Sequence, residues 1–275
     1  MTLSLQWLDG ETRLVGIIGD PVAQARSPGP LTGALQARGV NAVNLPLHVR
    51  PQDLAAVVGA LRKIPNVVGH ILTVPHKFAG LALVDRLSPT AAAAGAVNVI
   101  RREADGAWLG DNFDGAGIVD GLLHDGFDPA GKAVFIAGAG GAGCAVAAAL
   151  AAHGAERLRI FDIAAERVAA LKARLGRHFP GVAVEALTRA DPGGVDIAVN
   201  ATPLGMHAGD AVPFDVAALR PGALVAEVVM KPPVTQLLQG ARAAGHPVAL
   251  GENVLTFQLP RCAAFFAGAC AGTSS

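Results

Sequence analysis

The run Ala133-Val134-Phe135-Ile136-Ala137-Gly138-Ala139-Gly140-Gly141-Ala142-Gly143-Cys144 decides how this chain folds. A short apolar segment, Val134 to Ala137, meets a glycine cluster. An alanine-rich helical pattern follows to His153, and a second apolar segment, Leu158 to Phe161, ends in Asp162. Strand, glycine turn, helix, strand and acid in that order describe a βαβ unit that binds a dinucleotide. Glycine lets the backbone turn tightly and approach a pyrophosphate, whose charge sits at the helix N-terminus. Gly138, Ala139, Gly140, Gly141 and Ala142 are therefore expected to form the cradle, and Asp162, 24 residues beyond Gly138, to meet the ribose. Ala133 to Ala152 is also 20 residues without a charge, long enough to span a bilayer. Four glycines within six positions argue against one continuous helix, since each costs about 1 kcal/mol relative to alanine.

The 275 residues suffice for one large domain or two ordinary ones. The chain is 52% hydrophobic, 16% charged and formally neutral, with no basic stripe or charge block. That balance suits a small-molecule enzyme and speaks against nucleic acid as a partner. Cys144, Cys262 and Cys270 are odd in number and lack CxxC spacing, so neither a disulfide framework nor a zinc site is expected. The eight histidines are scattered without paired ligand spacing, and no metal is expected. Acids at Asp9 and Glu11 break any basic leader pattern. The expectation is a cytoplasmic protein without a membrane segment, monomeric or homodimeric.

Outward from the glycine turn the same rhythm continues. Toward the N-terminus, strands are expected at 14–18, 42–47 and 67–74, helices at 31–38 and 52–61, a helix-prone segment at 89–96, and short strands at 97–100 and 108–110. Toward the C-terminus, a helix at 164–179, strands at 182–186, 196–200, 224–229 and 247–250, and helices at 235–244 and 254–269 are expected. Alternating β and α elements predict an α/β fold with mostly parallel sheets.

Several separated motifs then fit one family. Thr73-Val74-Pro75-His76-Lys77, Gly95-Ala96-Val97-Asn98, Gly110-Asp111-Asn112-Phe113-Asp114-Gly115, the glycine turn, and Asn200-Ala201-Thr202-Pro203-Leu204-Gly205-Met206 occur in that order. Over essentially residues 14–270 the chain resembles the shikimate/quinate dehydrogenases. The resemblance implies an N-terminal α/β substrate domain (1–115, rejoined by C-terminal helices at 251–275) and a Rossmann-like, doubly wound cofactor domain (116–250), with a cleft between them. There 3-dehydroshikimate would be reduced to shikimate. It further implies Lys77 and Asp114 as the acid–base pair, Ser27, Thr73, Asn98 and Gln258 as substrate contacts, and Asn200, Thr202 and Met206 beside the nicotinamide. Hydride reduction of a ketone leaves an alkoxide that needs a proton, and the reverse oxidation needs a base. A lysine balanced by an aspartate can supply both.

The chain departs from that pattern in three places. Ala25 stands where the family has the first of two loop hydroxyls, Ile71 where it has an asparagine, and Met230 where it has a tyrosine. Each lost neutral contact weakens substrate binding by about 0.5–1.5 kcal/mol; Arg26 is a candidate replacement for the carboxylate contact. Quinate or aminoshikimate dehydrogenase is the alternative reading, and a non-catalytic NAD-binding sensor a further one, against which retention of Lys77 and Asp114 speaks. NADP-using members typically show Asn-Arg-Thr at the end of the second nucleotide strand, where this chain has Asp162-Ile163-Ala164. An acid there accepts hydrogen bonds from ribose hydroxyls and repels a 2′-phosphate. NAD is therefore expected over NADP.

Overall fold

The computed structural model describes residues 7–271. Within them the chain divides into two compact units, one made of residues up to 91, 96–113 and from 259 onward, the other of 92–95 and 114–258.

The first unit carries a six-stranded sheet. Its elements are β1 (Arg13–Gly19), α1 (Pro28–Gln36), β2 (Ala42–His48), α2 (Leu54–Leu61), β3 (Val67–Leu72), β4 (Arg86–Leu87), α3 (Pro89–Ala94, whose end joins the second unit), β5 (Val99–Arg102) and β6 (Trp108–Asp111). Strand order is β2-β1-β3-β5-β6-β4. β1 runs parallel to β2 and β3, whereas β5 is antiparallel to both β3 and β6. Six consecutive buried residues make β3 the centre of this sheet, as expected of a strand covered on both faces. One face packs Val15, Ile17, Leu31, Leu35 and Ile71 with Cys262, Ala263, Phe265 and Phe266. The other packs Ile18, Leu54, Val58, Leu72, Ile100 and Trp108.

The second unit comprises α4 (Asp114–His124), β7 (Ala133–Ala137), α5 (Gly141–Ala152), β8 (Arg157–Phe161), α6 (Ala165–His178), β9 (Ala183–Ala186), β10 (Ile197–Asn200), β11 (Leu224–Glu227), α7 (Gln236–Ala243), β12 (Val248–Ala249) and the start of α8 (Glu252–Ala271). All its strands are parallel, in the order β12-β11-β10-β7-β8-β9. The order reverses at β7, where the chain steps to β8 on one side and later to β10 on the other. In open α/β sheets ligands bind at such a switch point, beyond the carboxyl ends of the strands. Val134, Phe135 and Ile136 are fully buried, and the alanines of α5 are small enough to seat that helix closely on Val134 and Ile136. α6 buries Val168, Leu171 and Leu175 on one stripe. It places Glu166 in its first turn and Arg177 and His178 in its last, matching the helix dipole.

Boundaries differ from expectation where local chemistry wins. α1 starts at Pro28, not residue 31, because proline is pre-shaped for the first helical turn. β3 stops at Leu72, two residues short, ahead of Val74, which precedes Pro75 and is 61% exposed. β4 and β12 are two residues long. Among the described residues, no helix is long and apolar enough to cross a membrane.

Candidate functional site

The glycine turn is built as the sequence demands. Gly138 has φ +104°, a conformation open to glycine at little cost. A Cβ at Gly138 would also lie 2.9 Å from the Ala201 carbonyl and 3.1 Å from Thr202 Cγ2, and one at Gly143 would collide with the Gly138 carbonyl. At Gly138 and Gly143 the turn and the start of α5 are thus pressed together with no room for a side chain, whereas the space beside Gly140 is open. No side chain caps α5, which suits an anionic group at its N-terminus. Gly138, Ala139, Gly140, Gly141 and Ala142 all lie on this turn or in the first helical residues. Burial pushes the Cys144 thiol up to about 11, which leaves it a packing residue.

Asp162 follows β8, and its carboxylate braces the turn. One oxygen accepts from the Ala139 amide at 2.6 Å, the other from the Ala164 amide at 2.8 Å. Arg159 is turned to Glu185 (3.1 Å). At the end of β10, Asn200 Oδ1 accepts from the Thr202 amide (3.0 Å) and hydroxyl (2.7 Å), and its Nδ2 donates to the Leu204 carbonyl (3.0 Å). Asn200 and Thr202 therefore shape one turn that lies directly on Gly138. Met206 closes that turn with its amide on the Pro203 carbonyl (3.1 Å) and is 46% exposed.

In the first unit, Thr73, Lys77 and Asn98 lie beyond the carboxyl end of β3. The Thr73 amide donates to the Ile18 carbonyl, and Lys77, half-buried, accepts the Val97 amide at its own carbonyl (2.8 Å). The Leu72 amide donates to the Asn98 carbonyl (2.7 Å). Asn98 is 1% exposed, and its Oδ1 accepts the Phe113 amide at 2.9 Å. Thr73, Lys77 and Asn98, far apart in the chain, are thus tied to one end of this sheet. Ser27 is buried at the start of α1, 3.5 Å from Asn44 Oδ1. Ala25 packs against the apolar cluster that contains Ile71, so both departures belong to the core; Arg26 is exposed.

Asp114 opens α4 in the second unit and is 8% exposed. Gln258 Nε2 donates to its Oδ1 at 3.0 Å. Two of the expected residues, 144 positions apart, are therefore in direct contact.

Asn44 and Glu227 are among the buried polar residues that escaped the sequence reading. Asn44 donates through Nδ2 to the Val15 carbonyl (2.9 Å) and through its amide to Thr32 Oγ1 (3.0 Å). Glu227, 1% exposed at the end of β11, receives the Thr235 hydroxyl at Oε2 (2.9 Å) with Asn200 Nδ2 at 3.5 Å. Burial pushes its carboxyl up to about 7, while those two donors pull it down. The available signal for both was a polar residue inside an otherwise apolar strand.

A parallel sheet in the dinucleotide order, a glycine turn at its switch point and a second α/β unit bearing the buried Asn98 define a two-unit α/β protein of the nicotinamide-dependent class. The substrate-binding domain model of shikimate dehydrogenase matches residues 17–100. A shikimate dehydrogenase (NADP(+)) of Rubrobacter xylanophilus is 42% identical over 259 residues, covering 93% of this chain and 91% of that protein. One of Citrifermentans bemidjiense is 39% identical, covering 91% and 88%. A shikimate 5-dehydrogenase structure from Listeria monocytogenes, in complex with shikimate and NAD, superposes with a TM-score of 0.84 at 28% identity, covering 94% of this chain and 93% of that one. The chain belongs to the shikimate dehydrogenase family.

The expected preference for NAD is overturned by the Rubrobacter and Citrifermentans relatives, both named NADP(+) shikimate dehydrogenases. The physical reason lies in Asp162. An acid ending the second strand is expected to accept from ribose hydroxyls and repel a 2′-phosphate, but each of its oxygens also holds a backbone amide of the turn. The acid serves the turn as well, so its presence alone does not select NAD.

Proposed function

We propose that this chain interconverts 3-dehydroshikimate and shikimate with NADP. The first unit handles substrate through Ser27, Thr73, Lys77 and Asn98, and the second holds the dinucleotide. The glycine turn fits a pyrophosphate because Gly138 and Gly143 leave no room for side chains, the space beside Gly140 is open and the N-terminus of α5 is uncapped, and Gly138 to Ala142, Asn200, Thr202 and Met206 would hold the cofactor. When bound, that group supplies and accepts the hydride. Lys77 gives a proton to the oxygen that becomes the hydroxyl and takes it back in the oxidation. Asp114 is the carboxylate that the family resemblance assigns to the acid–base chemistry. Gln258, bonded to Asp114, orients that carboxylate.

The observation that carries this reading is the Gln258–Asp114 hydrogen bond of 3.0 Å. It joins two residues that the family resemblance assigns independently to one substrate. The test is absorbance at ~340 nm with the full chain, offering shikimate and quinate with each nicotinamide cofactor in turn. The highest kcat/KM is expected for shikimate with NADP+. Absence of turnover on shikimate with both cofactors refutes the proposal.

A further inference from the structure

Glu227 is a buried acid that the reaction does not use, set in the same unit as the glycine turn. In register it faces Asn200 across the β10–β11 ladder. Its Oε2 receives Thr235 and Asn200, and its Oε1 is buried without a hydrogen-bond partner. From Glu227 a continuous chain of contacts reaches the cradle. Asn200 holds the Thr202 amide and hydroxyl, Thr202 Oγ1 holds the Leu204 amide (3.1 Å), and the Ala201–Thr202 backbone lies where a Gly138 Cβ would be. On its other side Thr235 caps α7, accepting the Leu238 amide.

We propose that Glu227 is a positioning residue for the dinucleotide: braced between Asn200 and Thr235, it sets the 200–206 turn against Gly138 and so governs how tightly cofactor is held. This rests on the reading of the second unit as the cofactor holder. The acid works in its protonated form. Oε2 already receives two donors, so the proton resides on Oε1, and ionisation would leave a buried charge there without compensation. Among the described residues, nothing packed around it supplies a counter-charge. β10 carries no ionisable side chain, and Lys231 after β11, Arg242 on α7 and His207 on the turn are exposed. Asp210 is half-buried with an oxygen on the Gly205 and His207 amides, and His246, before β12, bonds the Ala223 carbonyl. The groups acting on the carboxyl are Thr235 and Asn200 alone. A bound polyanion favours the protonated acid, so by linkage affinity falls when the acid ionises.

The test is direct calorimetric titration of NADPH into the full chain between pH ~6 and ~8, for the wild type, Glu227→Gln and Glu227→Ala. The wild type is expected to lose about tenfold in affinity across this range beyond whatever Glu227→Gln loses, with the two within ~threefold at the acid end. The cofactor's own phosphate titration is common to both proteins and cancels in the ratio. Glu227→Ala is expected to bind at least ~tenfold more weakly than Glu227→Gln at every pH; if it fails to fold, the Gln comparison alone decides. Parallel pH profiles for wild type and Glu227→Gln overturn the positioning role. A wild type that binds no dinucleotide at any pH overturns instead the cofactor reading beneath it.

Discussion

Acidification is expected to weaken the first unit through His70. Its ring is fully buried, stacked on Trp108 at 5.0 Å, and neither ring nitrogen has a hydrogen-bond partner. Burial chiefly, and the positive charge of Arg102 secondarily, hold its pKa down from 6.5 to about 4. Because the folded value is depressed, the unfolded chain takes up the proton first. Stability is intact above pH 6.5 and falls as pH drops toward 4, with a full loss of about 3 kcal/mol. That is a large share of the ~5–15 kcal/mol that holds a typical domain together. The exposed carboxylates of Asp9 and Asp85 start from 3.8 and are lowered further, so they lose their contribution below this window. The assay is urea unfolding at pH ~7 and ~4.5, followed by tryptophan fluorescence, which Trp108 reports from the stack itself. The wild type should lose about 2–3 kcal/mol more than His70→Leu between the two, the opposite contribution of Glu227 being common to both, though the variant's stability at neutral pH is lower for want of the stack. Equal losses in the two proteins would refute the reasoning.

Other substitutions probe the remaining parts. Glu227 titrates in the opposite sense: its folded pKa is raised from 4.5 to about 7, so it costs stability as pH rises through that window. Glu227→Gln should therefore stabilise the second unit at pH ~8 by up to about 3 kcal/mol and much less at pH ~4.5, read by chemical denaturation. Gly143→Ala drives a methyl into the Gly138 carbonyl; thermal melting should show a loss of ~1–3 kcal/mol or more, with NADPH binding abolished. Asp162→Ala frees two backbone amides and should cost about 1–3 kcal/mol with weaker binding of both NAD and NADP, not a switch between them. Lys77→Met should lower kcat by ~10²–10⁴-fold with little change in dinucleotide affinity.

What was legible in the chain follows from how local each cause is. β7, the glycine turn and α5 depend on neighbours in sequence, and they sit where the pattern puts them. A two-residue strand such as β4 leaves no period to read, since its pairing is decided by β6, beyond α3 and β5 in the chain. The bracing role of Asp162 was not legible because its partners are backbone amides, one of them 23 residues away, and amides leave no signature in sequence. Glu227 passed as part of an apolar strand for the same reason: Thr235 and Asn200 reach it only after the chain has folded back.

The helix α8 carries a consequence for synthesis. Gln258 belongs to the second unit and Leu259 onward to the first. The first unit's core includes Cys262, Ala263, Phe265 and Phe266, and Gly69 in β3 lies directly under the Phe266 ring. Vectorial translation therefore delivers β1, β2 and β3 more than 150 residues before the helix that covers them. The second unit, contiguous from 114 to 258 but for residues 92–95 made just earlier, is ready to fold while its elder neighbour still lacks a wall. The usual N-terminal-first order of folding on the ribosome is thereby inverted, and the exposed face of β1 and β3 is what a nascent-chain chaperone would meet.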